Sequence, residues 1–211
     1  MSKMVTLEGV GTIDVDYVVA EKVYLDERLP SGKKKQKLVW ICPYYLKWKD
    51  MIIRCYSKRE QSRHPTYKGC TVCEEWLLFS NFRKWMVTQD WKNKQLDKDL
   101  LFQGNKIYSP STCVFLHRKV NTFIVVGSEG RSGNLRGSHL YRTGKFKSSC
   151  KDFLTGKTIN LGYFVLELDA HLAWKEEKHK QACIMADSVF VTDERVANLL
   201  KSRYVNFHIL E

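Results

Sequence analysis

Residues 125–137 contain Gly127, Gly130, Gly133 and Gly137, and no other stretch of the 211-residue chain is so densely punctuated by glycine. Glycine adds backbone freedom and gives a core nothing to pack, so such a run reads as a linker. It divides the chain into two small parts, each needing its own core. The two parts share no repeat, so the chain reads as two unlike modules.

Both parts have material for a core. Six Trp, ten Tyr and ten Phe exclude intrinsic disorder. No apolar run approaches the length of a membrane span, and residues 1–10 lack a signal-peptide pattern. A cytoplasmic, membrane-free protein is the expectation.

The periodicities predict an α+β chain. Residues 5–25 hold short β-type runs such as Tyr17-Val18-Val19. A loop with a charge run follows, Leu29-Pro30-Ser31-Gly32 and then Lys33-Lys34-Lys35. Tyr45, Leu46, Met51, Ile52, Ile53 and Tyr56 recur near three and four, predicting a helix over 43–56. Residues 61–69 read as an irregular loop, and Phe79, Phe82, Trp85 and Met86 mark a helix over 80–88. Between 95 and 123 a strand (96–100), a loop with Gly104-Asn105, a Ser-Pro turn, a second strand (113–116) and a helix carrying Asn121 follow one another. Beyond the linker, segments 137–142, 145–151 and 158–164 are separated by turns at Thr143-Gly144 and Thr155-Gly156. They predict a three-stranded antiparallel sheet. A helix over 167–185, with Leu168, Leu172, Ala173, Ala182 and Cys183 apolar, would back it, and a shorter helix over 193–202 closes the chain.

The formal charge is +12 and unevenly spread. The first thirty residues are acidic. From Lys33 to Lys68 only Asp50 and Glu60 oppose the cations, and from Arg131 to Lys157 only Asp152 does. Two basic zones interleaved with aromatics fit a binder of DNA or RNA with two contact surfaces, because cations gain affinity by releasing counterions from phosphates. On the second zone Arg136, Arg142, Lys145, Lys147, Lys151 and Lys157 are the candidate contacts. Strand alternation lets only about half of them face one side.

Seven cysteines without a secretory signal argue against a disulfide framework. Cys70 and Cys73 have the spacing of a zinc knuckle, but no second such pair supplies the other ligands of a structural Zn²⁺ site. Buried free thiols are the preferred reading, since cysteine packs as a small apolar residue.

Asp97, Asn105 and Asn121 carry the chemistry. A carboxylate on a strand and an amide on the next helix offer hard oxygens, which suit Mg²⁺ or another divalent cation. Such a metal polarises a scissile phosphate. Asn105 would tie the two strands through hydrogen bonds to the backbone.

The segment Leu96-Asp97-Lys98, Gly104-Asn105-Lys106-Ile107-Tyr108-Ser109-Pro110, Cys113-Val114-Phe115 and Asn121 resembles the core of phage-encoded HNH endonucleases. Upstream, Cys42-Pro43-Tyr44-Tyr45, Arg54-Cys55-Tyr56-Ser57 and His64-Pro65-Thr66-Tyr67-Lys68-Gly69-Cys70 fit the same group. In the second half, Gly144-Lys145-Phe146, Thr155-Gly156-Lys157 and Asn160-Leu161-Gly162-Tyr163-Phe164 resemble the Apetala-type DNA-binding domain. The pairing is typical of phage homing endonucleases. The resemblance implies a nuclease cutting or nicking double-stranded DNA inside a bacterial host, as monomer or homodimer. It implies a ββα-metal finger in which Asp97 and Asn121 are the metal ligands and Asn105 holds the loop. It also implies a division into an extension (1–38), a nuclease module (39–128), a DNA-reading module (129–185) and a helical extension (186–211).

Position 98 departs from the family, which carries a histidine base there. Histidine titrates near neutrality, whereas an exposed lysine is a cation at pH 7. Lys98 is therefore expected to be exposed and to act as a phosphate clamp or as an activated base. Otherwise the proton acceptor is His64 or Tyr67 from the upstream loop, or His117, four residues before Asn121. If no group takes that role, the alternative is a non-catalytic DNA-binding regulator on a degenerate HNH scaffold.

Overall fold

The structure, a computed structural model, describes residues 5–124 and 134–205. The chain forms two units. One runs to Trp91 and adds Leu96–Phe115; the other takes Lys92–Gln95 and the chain from Leu116 onward. The expected module boundary at residues 128 and 129 lies outside the described residues.

In the first unit, β1 (Val5–Leu7) and β2 (Gly11–Ile13) pair antiparallel. A long ribbon follows, β3 (Ala20–Arg28) paired antiparallel with β4 (Lys34–Ile41). This corrects two expectations. Tyr17-Val18-Val19 is not strand but the irregular approach to β3, and the lysine run 33–35 is not wholly loop, because β4 begins at Lys34. The turn closes earlier: Gly32 N donates to Leu29 O, and Leu29 N to Lys33 O.

Helix α1 (Pro43–Tyr56) starts with proline at the first helical position, where the missing N–H has no intrahelical partner to lose. Its buried face is Tyr45, Trp48, Met51, Ile52 and Cys55. Leu46 is exposed instead, because 45, 48, 52 and 55 follow the three-four spacing of one helical face and 46 does not. Residues 61–69 are more regular than expected. Helix α2 (Lys58–Arg63) and a single 3-10 turn (Pro65–Tyr67) lead into β5 (Thr71–Val72). Helix α3 (Phe79–Met86) buries Phe79, Phe82 and Met86. Trp48 is fully buried and its Nε1 donates to Trp76 O at 2.7 Å. Gly11 lies so close to this ring that a Cβ there would stand 2.9 Å from Trp48 Cη2.

Strand β6 (Lys94–Asp97) precedes β7 (Ile107–Tyr108), which runs parallel to β5 with Thr71 opposite Ile107 and Val72 opposite Tyr108. Strand β8 (Val114–His117) pairs with β6 and runs directly into α4 (Arg118–Ile124). The order expected for 95–123 is present with a short strand, β7, added inside the loop. The first strand ends at Asp97, three residues before expected, because 98–100 bend away, and the second is shifted by one residue.

In the second unit, β9 (Ser138–Leu140), β10 (Phe146–Lys151) and β11 (Thr158–Phe164) form an antiparallel sheet ordered β11-β10-β9. Helix α5 (Glu167–Ala186) packs on all three strands, and α6 (Glu194–Ser202) packs on α5. The face α5 turns inward is Ala170, Trp174, Lys178, Gln181, Ala182 and Met185. The leucines expected there, Leu168 and Leu172, are exposed. Each lies two residues from a core position, a rotation of about 200° around a helix with 3.6 residues per turn. Gly137 makes the sheet–helix approach feasible. Its φ is +80°, and a Cβ would stand 1.9 Å from Trp174 Cγ.

Candidate functional site

Asp97 ends β6, and its side chain turns the chain. Oδ1 accepts from the N–H of Asp99 (3.1 Å) and of Leu100 (2.8 Å). Burial pushes its pKa above the ordinary carboxylate value, against the pull of these two N–H donors. Oδ2 has no hydrogen-bond partner among the described residues. Asn105 sits across the loop: Nδ2 donates to Lys98 O and Ile107 O, both at 2.7 Å, and Oδ1 accepts from Ile107 N at 3.2 Å. One side chain thus ties the start of the loop to its end.

Lys98 is where the structure departs from expectation. It is buried, not exposed, in the bend that follows the end of β6 at Asp97. Its ammonium lies 3.0 Å from Asp99 Oδ2 and 5.8 Å from the centre of the Tyr108 ring. The buried ammonium is thus already paired, with a carboxylate that is itself half-exposed.

His64 precedes the 3-10 turn and Tyr67 ends it, their rings 6.1 Å apart. His64 is exposed, with Nε2 3.6 Å from Glu60 Oε1. The Arg54 guanidinium lies 5.5 Å from the Tyr67 ring. Lys106 Nζ donates to Thr66 O at 3.0 Å. Together with the β5–β7 pairing, that bond fastens the His64–Tyr67 segment to the segment that Asn105 holds.

Asn121 and His117 belong to the second unit. Asn121 Nδ2 donates to Gln95 Oε1 at 2.7 Å, leaving its carbonyl oxygen without a described partner. His117 stacks on Phe190 with ring centroids 4.7 Å apart, and its Nδ1 accepts from Lys119 N at 3.2 Å.

Cys70 is buried and its thiol points toward Thr66 O at 3.9 Å; Cys73 is half-buried. Cys55 and Cys113 share this core, and burial pushes both thiols up to about 12. No group of three or more His, Cys, Asp or Glu suited to a metal ion occurs among the described residues.

On the three-stranded sheet, α5 covers Ser148 and Cys150 and Lys147 lies on the other face; a bulge separates Ser148 from Ser149, and Ser149 and Lys151 line a cleft beside α5. Lys147 stands opposite both Tyr163 and His139 in the register, its ammonium 6.0 Å from the Tyr163 ring. Tyr141 packs against Tyr163, centroids 4.9 Å apart. Arg142 and Lys145 occupy the β9–β10 turn and Lys157 ends the β10–β11 turn, all exposed. Arg136 differs: it is half-buried before β9, and its carbonyl is bonded to His171 Nδ1.

Sequence reasoning missed the β3–β4 ribbon, which is exposed on both faces. Tyr24 is 66% exposed, Val39 58% and Trp40 44%, and Lys33, Lys34, Lys35 and Lys37 lie along it. The available signal was the lysine run beside the β-type residues 38–41. No described helix is long and apolar enough to cross a membrane. No family model, curated protein or solved structure matches the chain.

Proposed function

We propose that the chain is a DNA endonuclease of the HNH type that hydrolyses phosphodiester bonds with a divalent metal ion. The observation that carries this reading is the loop after β6. One Asp97 oxygen is fixed by two backbone N–H groups while the other is left over, and Asn105 clamps the loop by its ends. A fixed carboxylate with a spare oxygen suits a hard cation such as Mg²⁺, and burial gives it reason to welcome a positive charge. In this reading Asp97 supplies an oxygen to the ion. When bound, the ion would polarise the scissile phosphate and stabilise the leaving oxygen. The chain's own residues would position the strand: Lys147 and Lys151 on the sheet, Arg142, Lys145 and Lys157 in its turns, and the lysines of the ribbon. Duplex DNA is the partner favoured, since a two-stranded ribbon and a sheet both fit a major groove.

One observation favours a second reading, a DNA-binding protein without catalysis. The residue standing where the family carries its base is a buried lysine paired with Asp99. Full-length protein incubated with a mixed duplex library separates the two. Cleavage that needs Mg²⁺, stops with EDTA and disappears in Asp97→Ala, with DNA binding retained, supports the nuclease. Retained binding with no cleavage in any divalent metal supports the regulator, and cleavage by Asp97→Ala at the wild-type rate removes the proposed metal site.

A further inference from the structure

We propose that a cleft within the second unit binds a nucleoside phosphate, its planar base against an aromatic wall and its phosphate among four cations. The inference does not rest on the nuclease reading. The cleft has a volume of about 820 Å³ and is walled by α4, the β10–β11 turn and α5. That size falls within the range of about 300–1,000 Å³ typical of small-molecule sites. Neither Asn121 nor Asp97 lines it.

The charge on the wall is one-sided. Arg118, Lys119, Lys151 and Lys178 face Asp152 as the single acid among the lining residues. Asp152 is spent on its own turn, its Oδ1 accepting from Leu154 N, Thr155 N and Thr155 Oγ1. Those donors lower the Asp152 pKa and keep it an anion, so one carboxylate faces four cations and the wall stays net positive.

Lys178 is the built element. It belongs to the inward face of α5 and is only 8% exposed, yet it forms no ion pair among the described residues. Its ammonium stands 3.6 Å from the centre of the Phe123 ring and 5.9 Å from that of Tyr204. Burial lowers its pKa to about 8. A buried charge without an anionic partner costs stability, and folds keep such groups where a ligand completes them. Aromatic faces can hold the cation in the absence of an anion, as they do here.

The rest of the wall selects the kind of anion. Phe123 and Phe153 meet edge to face with centroids 5.9 Å apart, and Trp174 adds a third aromatic surface. Flat aromatic surface beside clustered cations suits a ligand with one planar ring and one phosphate. Inorganic phosphate would leave the aromatic wall unused, and a nucleoside would leave the cations unused. A nucleotide uses both, whether free or as the phosphorylated end of a DNA strand.

The test is calorimetric titration of the full-length protein in EDTA, which keeps cleavage out of the measurement. Probes are the four deoxynucleoside 5′-monophosphates, deoxyadenosine, inorganic phosphate and a 5′-phosphorylated tetranucleotide. At least one monophosphate or the tetranucleotide should bind at least tenfold more tightly than phosphate or deoxyadenosine. Tighter binding of the tetranucleotide than of any monophosphate assigns the cleft to a strand end; the reverse assigns it to a free nucleotide. Lys178→Met should weaken binding at least tenfold. Arg118→Ala and Lys151→Ala alter exposed residues that the fold does not need, and each should weaken it several-fold, so they decide the matter if Lys178→Met does not fold. Binding no tighter than that of phosphate alone, or wild-type affinity in both surface variants, would overturn the proposal.

Discussion

Replacing Asn105 by Ala removes three hydrogen bonds at once: two donated to Lys98 O and Ile107 O, and one accepted from Ile107 N. A typical intramolecular hydrogen bond contributes about 0.5–1.5 kcal/mol net. The bond to Lys98 O is partly buried and belongs at the upper end of that range. The two to Ile107 are exposed, and water replaces them cheaply. The expected loss is about 2 kcal/mol. Five of the six tryptophans, Trp40, Trp48, Trp76, Trp85 and Trp91, lie in the first unit, so tryptophan fluorescence during urea unfolding reports mainly on the unit that Asn105 stabilises. With a urea m-value of about 2 kcal/mol/M the midpoint should fall by about 1 M at unchanged slope. Asn105→Asp sharpens the test. It keeps the acceptor for Ile107 N but aims a carboxylate oxygen at two carbonyls, so its pKa should rise in the folded state. Its stability should then be highest in acid and fall as pH rises through that raised value. A midpoint shift below about 0.2 M for the alanine variant, or an Asp variant indifferent to pH, would refute the idea that this side chain holds the loop.

Asp97→Asn keeps the acceptor for Asp99 N and Leu100 N while removing a buried charge. Because burial raises the Asp97 pKa, its ionisation costs stability once pH exceeds the ordinary carboxylate value, and the cost is complete above the raised one. The asparagine variant should therefore unfold at equal or higher urea concentration than wild type at pH 7, lose that advantage near pH 3, and show no cleavage; a less stable variant at pH 7 contradicts the desolvation argument. Lys98→Met should leave cleavage largely intact if the buried lysine is structural, and loss of rate in a folded variant with normal DNA binding would return Lys98 to the chemistry. Gly137→Ala forces a Cβ into Trp174 at a positive φ and should destabilise the second unit by more than about 3 kcal/mol, read by its thermal midpoint. Changing Lys33, Lys34 and Lys37 together to Gln should lower the salt slope of DNA binding by about one unit for each phosphate no longer neutralised, and an unchanged slope removes the ribbon from the interface.

Parts of the fold are legible because a single residue suffices to write them. Pro43 marks the start of α1 to the residue, and Thr143-Gly144 marks the turn between β9 and β10. Elements with one wet and one dry face announce themselves through periodicity, as α3 does with Phe79, Phe82 and Met86. The β3–β4 ribbon has no dry face, so its strands carry no alternation and its lysines read as loop. The stripe of α5 misleads for the opposite reason. Its buried face includes Lys178 and Gln181, which a hydrophobic pattern counts as surface, while Leu168 and Leu172 stand exposed and draw the pattern toward themselves.

Lys98 shows why a site is harder to read than a fold. Its neighbours Leu96 and Leu100 are buried, but β6 ends at Asp97 and no strand period carries through position 98 to announce its burial. The identity of the residue argues for the surface, because a lysine is usually solvated. Burial is tolerated because Asp99 reaches the ammonium at 3.0 Å and the Tyr108 ring faces it, so the charge is not stranded. A proton acceptor for hydrolysis has to face water and substrate, and this side chain faces the core. Within the first unit that leaves the His64–Tyr67 segment, which Lys106 and the β5–β7 pairing hold against the loop that Asn105 closes. If the chain cuts DNA, the exposed imidazole of His64 is the better placed of the two for that proton. The lysine then serves to keep the loop beneath Asp97 from moving.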